Sequence, residues 1–422
     1  MTEPLTYLLG IDDTDSLFGH CTTHLGYLVV CELARIGCAF STYPRLVRLN
    51  PNIPFKTRGN AAVCIEFEAF SERMRDEAFM AAERLLSEEA DAANGANSAL
   101  VIVSKDAHQE FFRQTYLRAL NGLVNYKGIL SAVSKMGIRH KLLGNGMGVV
   151  GAVASIGFLP ESDDHTYELI AYRKPERCGT PRRVDPVSVK EMEAATFPHT
   201  FNSFDHESGR VLVAPTGPDP VLAGVRGDSP RVVLNAFRRV EIGEDLLGYV
   251  VYATNQCTDA HLTSELTLPL KAFSAGWLQG TIISTQVSEG SHRTIRLKVH
   301  DAEVNCMIYE PSGDLRHMAR VLKPGDSVRL SGGVRKATTK NPTVLNVEKI
   351  QVLTATARIH SGTYLPSPRA QRHLTKQLIR YGREQTGPQA LVEGWIEPQH
   401  HEPSSALSLL SASEANASIR AA

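Results

Sequence analysis

Apolar residues recur in two rhythms over the first 270 residues of this chain, and one rhythm takes over afterwards. Leu5–Ile11 is a continuous apolar run of strand length. Residues 22–37, TTHLGYLVVCELARIG, carry apolar positions at helical spacing and stop at Gly37, which predicts a helix with a glycine end. Ala61–Phe67 alternates as a strand does, and Ser71–Ala93 reads as a charged helix running into the loop 92–98. Leu100–Val103 predicts a short strand and His108–Asn121 a helix. In Gly144–Gly157, GNGMGVVGAVASIG, a glycine-rich turn runs into a helix of small residues. Leu169–Tyr172, Arg210–Val213 and Gly248–Ala253 read as strands, Ser229–Val240 as a helix, and Arg173–Pro186 as a polar stretch bounded by proline. Alternating β and α segments of this kind predict α/β and α+β units.

The period-two rhythm dominates from Phe273. Five strand-like runs follow: Trp277–Gln286, Ser291–His300, Glu303–Tyr309, Ser327–Val334 and Leu345–Leu353, with a helical piece at Leu315–Leu322. Five strands with a helix between the third and fourth is the order of an OB-fold barrel. The expectation is thus an α+β multidomain chain, divided at 1–160, 161–270, 274–355, a basic segment 356–383 and a disordered tail 384–422 rich in Ser, Ala, Glu and Pro.

Composition sharpens this in three places. Formal net charge over the 422 residues is zero, yet residues 311–383 hold 14 Lys plus Arg against three acids. A neutral chain with one basic module fits a polyanion partner, and RNA is expected rather than DNA. Seven cysteines lie singly with no CxxC pair, which argues for reduced thiols and against a disulfide framework. No apolar run reaches the ~18 residues of a membrane span, and the N-terminus lacks a basic n-region, so a cytoplasmic chain with no membrane partner is expected.

The candidate chemistry begins at the end of the first strand. Asp12, Asp13 and Asp15 follow the apolar run in LLGIDDTDS. Carboxylates gathered there suit a hard cation such as Mg²⁺, which bridges to substrate phosphates; a solvated acidic turn is the alternative. Gly144, Gly146, Gly148 and Gly151 offer backbone N–H groups to phosphate at a helix start, although small residues also serve close helix packing. Arg139, His140 and Lys141 precede those glycines and bring positive charge. Arg45–Asn60, RLVRLNPNIPFKTRGN, is interrupted by Pro51 and Pro54 and reads as a rigid basic loop carrying Lys56 and Arg58. Thr254–His261, TNQCTDAH, concentrates polar side chains behind a strand and suits either a ligand pocket or a structural network.

Taken together, GIDDTDS with GHCTT, RLVRLNPNIPFKTRGN, GMGVVGAVASIG, ELIAYRKPERCGT, FPHTF, PVLAGVRGDS, TNQCTDAHL and GTYLPSPRAQRHLTKQLIR resemble, in collinear order, the archaeal tRNA 2-agmatinylcytidine synthetase (TiaS) family. That resemblance implies a kinase-like domain, a ferredoxin-like domain and an OB-fold. It implies a ligase that uses ATP and Mg²⁺ to activate the 2-oxo group of a wobble cytidine in an isoleucine tRNA, after which agmatine replaces the oxygen. By motif, Asp12, Asp13 and Asp15 would hold metal and phosphates, and Thr22 would be the threonine the family phosphorylates. ATP would be held by Lys56, Arg58, Arg139, Lys141, Gly146, Gly148 and Gly151. Asp205, Arg226, Asn255 and Asp259 are the candidates for the amine, and Arg335, Lys336, Arg372 and His373 those for RNA.

Two departures from the family pattern stand out. Leu353 and Gly362 are separated by eight residues, and no cysteine follows Cys306, so the family's four-cysteine zinc ribbon is absent from this sequence. Asn145 and Met147 stand in the glycine turn where the family has basic residues. Alternatives to the tRNA ligase reading are the same chemistry on free cytidine, a nucleotide or another RNA, and an RNA-binding protein whose kinase-like domain is inactive.

Overall fold

The computed structural model describes residues 4–57, 59–205, 209–287, 292–309, 315, 319–320, 322–339, 342–354 and 395–396. In chain order the first part contains β1 (Leu5–Asp12), α1 (Thr22–Ile36), β2 (Arg45–Arg48), β3 (Ala61–Ala69), α2 (Glu72–Glu89), β4 (Ala99–Ser104), α3 (Gln109–Asn121), α4 (Tyr126–Lys135), β5 (Arg139–Leu142) and α5 (Val149–Ile156). There follow β6 (Thr166–Arg173), α6 (Pro186–Thr196), β7 (Thr200–Phe201), β8 (Phe204–Asp205), β9 (Arg210–Val211), β10 (Val221–Gly227), α7 (Pro230–Phe237) and β11 (Leu246–Thr254). The last part holds β12 (Ala275–Val287), β13 (Arg293–Val299), β14 (Ala302–Ile308), β15 (Ser327–Arg335), β16 (Val344–Thr354) and β17 (Trp395–Ile396). It is a mixed α/β multidomain architecture.

One sheet of nine strands runs through the first two thirds, in the order β5-β4-β1-β3-β2-β11-β6-β10-β7. Its pairings are antiparallel except β2 with β11, which is parallel and spans only Ala253↔Arg45 and Thr254↔Leu46. β1 lies between β3 and β4 and is apolar on both faces, which explains its continuous apolar run. Tyr7, Leu9 and Ile11 face one core with α1 and α2, and Leu8 faces another with α3, α4 and α5. A third core packs α6 and α7 on β6 and β10. The helix starts obey local rules: Ser71, Asp185 and Ser229 cap α2, α6 and α7 respectively by accepting a backbone N–H in the first turn. Gly37 ends α1 at φ 97°, a conformation that glycine adopts without strain.

The C-terminal strands form a closed barrel. β12 pairs with β13 and β15, β13 with β14, and β15 with β16, while a parallel β14–β16 pairing completes the circle. Its interior is a single apolar cluster including Leu278, Ile295, Leu297, Val328 and Ile350.

Several expectations need correction. Arg45–Arg48 is a strand and not part of a loop, and Arg45 is 1% exposed, paired with the buried Glu66. α4, β5 and α6 go beyond the expected elements: Arg139–Leu142 is an edge strand on β4, and the proline-bounded polar stretch ends in the Asp185 cap of α6. Within the expected tail, Trp395–Ile396 pairs with β16. The helical piece Leu315–Leu322 and the segment 356–383 fall largely or wholly outside the described residues. Among the described residues no helix is long and apolar enough to cross a membrane.

Candidate functional site

The acidic end of β1 opens into a cleft with about 870 Å³ of empty space, mouth included. Three stretches far apart in sequence meet there. Asp12, Asp13 and Asp15 come from β1 and its turn, Lys56, Thr57, Gly59 and Asn60 from the β2–β3 loop, and Met147, Gly148 and Gly151 from the start of α5. The lining also includes the apolar residues Leu49, Ile53, Phe55, Leu123, Val124, Tyr126 and Val150. The cleft wall therefore mixes carboxylate, cationic and amide groups with apolar side chains.

Glycine is required where α5 meets β1. A Cβ on Gly151 would sit 1.8 Å from Asp12 Oδ2, and one on Gly148 2.8 Å from the Asp12 carbonyl oxygen. Gly10 is under the same pressure from the Ala152 carbonyl, at 2.1 Å. Close packing thus explains Gly148 and Gly151, and that same closeness brings the first turn of α5 against the carboxylates. Asp13 adopts φ 58°, and Ser98 Oγ donates to its carbonyl at 2.7 Å. Asn97 holds the other side: its carbonyl accepts from Gly148 N at 2.9 Å and its Oδ1 from Asn145 N at 3.0 Å.

The electrostatics follow from this packing. Burial, then the charge of Asp13, pushes the Asp12 carboxyl well above the ordinary carboxylate range. Burial, then Asp15, pushes Asp13 up to about 6. Carboxyls raised by burial and by neighbouring carboxylates are characteristic of functional clefts. The oxygen-only donor set fits a hard cation. Among the described residues no group of three or more His, Cys, Asp or Glu side chains forms a ready-made cage. Mg²⁺ is commonly held by one or two carboxylates together with phosphate oxygens and water, so Asp12 and Asp13 fit it in company with a polyphosphate.

Other candidates lie elsewhere. Gly146, at φ 70°, packs on Leu142 and is outside the cleft lining. Arg139 and Lys141 also miss the lining: Arg139 Nη1 bonds Asp76 at 2.7 Å and Lys141 Nζ bonds Glu83 at 2.8 Å, so both charges are engaged by α2. Thr22 opens α1, is 5% exposed, and its hydroxyl accepts from Thr14 Oγ1 at 3.1 Å. Arg58, Arg372 and His373 lie outside the described residues.

The amine candidates are spread over a charged network. Arg226 Nε donates to Glu168 Oε1 at 3.0 Å, and Arg48 Nη2 approaches Glu168 Oε2 at 3.5 Å. Asn255 clamps β2: its Oδ1 accepts from Arg48 N at 2.7 Å and its Nδ2 donates to the Arg48 carbonyl at 2.9 Å. Asp259 pairs with Lys349 of the barrel, beside a His261–Glu348 contact at 2.9 Å. Asp205 sits in the β8–β9 hairpin opposite Arg210. In the barrel, Arg335 donates to Tyr309 Oη at 3.0 Å and Lys336 is exposed.

Sequence reading missed the apolar lining of the cleft and the Asn97–Ser98 brace. Those two residues do carry a signal, since Asn and Ser in a loop often bond nearby backbone, but only the fold shows which backbone.

The motifs that build this cleft also carry the likeness to known proteins. Residues 8–145 match the family model described as the TiaS TCKD domain, and residues 146–261 the TiaS FLD domain. The chain is 38% identical over 347 residues to the isoleucine-tRNA 2-agmatinylcytidine synthetase TiaS of Cenarchaeum symbiosum, covering 82% of this chain and 76% of that one. It is similar to TiaS in a crystal structure of its complex with that isoleucine tRNA and ATP, with TM-score 0.76, 31% identity, and coverage of 83% and 82%. A ZRD-deleted mutant of TiaS in complex with agmatine matches with TM-score 0.72 and 25% identity, covering 95% of this chain and 96% of that one. The chain belongs to the TiaS family.

Proposed function

We propose that this protein is an ATP-dependent ligase that joins agmatine to C2 of a cytidine in an isoleucine tRNA. The observation that carries the reading is the cleft, where the β1 carboxylates, Lys56 and the α5 glycines converge from separate family motifs. Its apolar side chains, with Phe55 and Tyr126, suit a nucleobase, and its carboxylates suit a metal-bound polyphosphate. Relatives crystallised with the isoleucine tRNA, ATP and agmatine support the same ligand set.

Asp12, Asp13 and Asp15 would hold Mg²⁺, which when bound neutralises phosphate charge during transfer. Lys56 and the backbone at Gly148 and Gly151 orient the phosphates. The cytidine 2-oxo group is a poor leaving group until it carries a phosphoryl group. The agmatine amine then forms the C2–N bond, the C2–O bond breaks, and the oxygen departs with the phosphate. Thr22 would serve as the phosphoacceptor that the family resemblance assigns only if its bond with Thr14 opens. Arg226, Asn255, Asp259 and Asp205 remain the candidates for the amine, with a carboxylate suited to its guanidinium.

The domain reading is a kinase-like unit at 1–160, a ferredoxin-like unit at 161–270 and an OB-fold at 274–355. The five-strand circuit β12–β16 supports the last of these. Arg335 and Lys336 would meet RNA there, with Arg372 and His373 beyond.

A wider acceptor range is favoured by one feature. No cysteine follows Cys306, and the chain matches the ZRD-deleted TiaS over 96% of that chain's length. On this reading the ribbon is missing from this sequence, and its hold on one particular anticodon loop would be weaker. The test is mass spectrometry of nucleosides after incubation with ATP, Mg²⁺, agmatine and either the isoleucine tRNA, bulk RNA or free cytidine. A cytidine heavier by agmatine minus water in the isoleucine tRNA sample is expected. Modification of free cytidine alone would move the acceptor, and no product with any of them would remove the ligase reading.

A further inference from the structure

The β2–β3 loop supplies Ile53, Phe55, Lys56, Thr57, Gly59 and Asn60 to the cleft wall without a strand or helix of its own. Its root is Asn50, which is fully buried. Asn50 Oδ1 accepts from Asn52 N at 2.9 Å, and the Asn50 carbonyl accepts from Asn60 Nδ2 at 2.9 Å, so one residue gathers both ends of the loop. Its backbone N–H donates to the Ala119 carbonyl of α3 at 3.1 Å. The remaining group, Nδ2, crosses 223 residues of sequence and donates to the Phe273 carbonyl at 2.6 Å.

Phe273 is the point at which the barrel begins. It adopts φ 66°, and its N–H donates to Val334 of β15 at 2.9 Å. The neighbouring residue of that strand is Gly333, and the side chain of Asn52 lies directly on it. A Cβ on Gly333 would come within 1.8 Å of Asn52 Nδ2 and 2.5 Å of its Cγ. The φ of Gly333 is ordinary, so glycine is needed there for close approach alone. The barrel edge thus touches the loop at two adjacent places, through a buried hydrogen bond and through a flat contact only glycine permits. A tether between two independent units requires neither.

We propose that Asn50, with Asn52 seated on Gly333, is a positioning residue for the ligand-holding loop: the barrel fixes the loop, and the loop fixes Phe55 and Lys56 at the cleft. The inference rests on reading the cleft as the ATP site. Removing the Asn50 side chain leaves two backbone groups unpaired, the Asn52 N–H and the Phe273 carbonyl, so the loop loses its side-chain link to the barrel.

The test compares the full-length protein with Asn50→Ala, Gly333→Ala, and Gly333→Ala combined with Asn52→Gly. Two readouts are needed, amide hydrogen exchange across 51–60 and steady-state kinetics for ATP, with exchange in β12 and β13 as the folding control. Asn50→Ala and Gly333→Ala should speed exchange in 51–60 while the control strands stay protected. Misplacement of the loop should raise KM for ATP about tenfold while kcat stays within about twofold. Asn52→Gly removes the group that the new methyl strikes, so it should restore both readouts in the Gly333→Ala background. Unchanged loop exchange in both single variants would overturn the clamp, and a loosened loop with an unmoved KM would overturn its positioning role. A failure of the ATP reading shows separately, as wild-type protein that binds no ATP.

Discussion

Two groups of carboxylates in this molecule are treated in opposite ways. Glu168 is bracketed by Arg226 and Arg48, as Glu66 is by Arg45 and Lys105. The Asp12 and Asp13 carboxyls are instead raised by burial, and then by the charge of Asp13 on Asp12 and of Asp15 on Asp13. The first arrangement supplies its own counter-charge and holds strands together. The second crowds like charges at a cleft, with no arginine or lysine bonded to Asp12 or Asp13 among the described residues. Acidic residues alone therefore do not mark a site; carboxylates raised together at a cleft do.

The largest expected effect tests this directly. Asp13→Asn should cut ATP-dependent product formation by about 100-fold or more, since a carboxylate of the proposed metal site is lost. Asparagine tolerates the φ of 58° at this position, and relief of repulsion should leave stability at pH 7 unchanged or higher. Activity assays with urea titrations read both. A destabilised variant with near-normal activity would place Asp13 on the structural side.

Glu168→Gln should behave in the reverse manner. Two guanidinium groups would remain around a neutral amide that is almost inaccessible to solvent. Breaking such a pair costs about 3 kcal/mol or more, visible as a lower urea midpoint. Little change in stability would show that the network serves a ligand instead.

The smallest effect is a slope. The Asp13 carboxyl rises from 3.8 to about 6 on folding. A proton held more tightly in the folded state makes the Asp13 contribution most favourable below the unfolded value, and it is lost as pH climbs to about 6. The stability gain of Asp13→Asn over wild type should therefore grow across that window and then level off. Millimolar Mg²⁺ with ATP should shrink it. A difference independent of pH would mean that the carboxyl is not strained by its neighbours.

Much of this was legible in the sequence, for physical reasons. β1, α1, α2 and the barrel strands have clear periods and clear stops, because each buries one face or both against a large core. The acids of β1 and the α5 glycines stand out because local chemistry identifies them. What failed to show was pairing. Arg139 and Lys141 read as ligands for phosphate, but α2 is amphipathic and its Asp76 and Glu83 happen to face β5. Arg45 read as a loop charge, and only the register of β2 against β3 shows that it must be buried. Asn50 had no signal at all, since its partner at Phe273 is distant in sequence.

The parallel joint between β2 and β11 has a mechanical consequence. Stiffness across a sheet comes from its ladder of backbone bonds, and this one narrows to two paired positions at the joint, against eight between β11 and β6. Bending is therefore concentrated there, as in a plate with a notch. A brace crosses the notch on one face: α1 packs against both halves, and Tyr252 Oη donates to the Thr23 carbonyl at 2.7 Å. α1 thus acts as a splint across the joint, and Thr22 lies in its first turn, beside the Tyr252 bond.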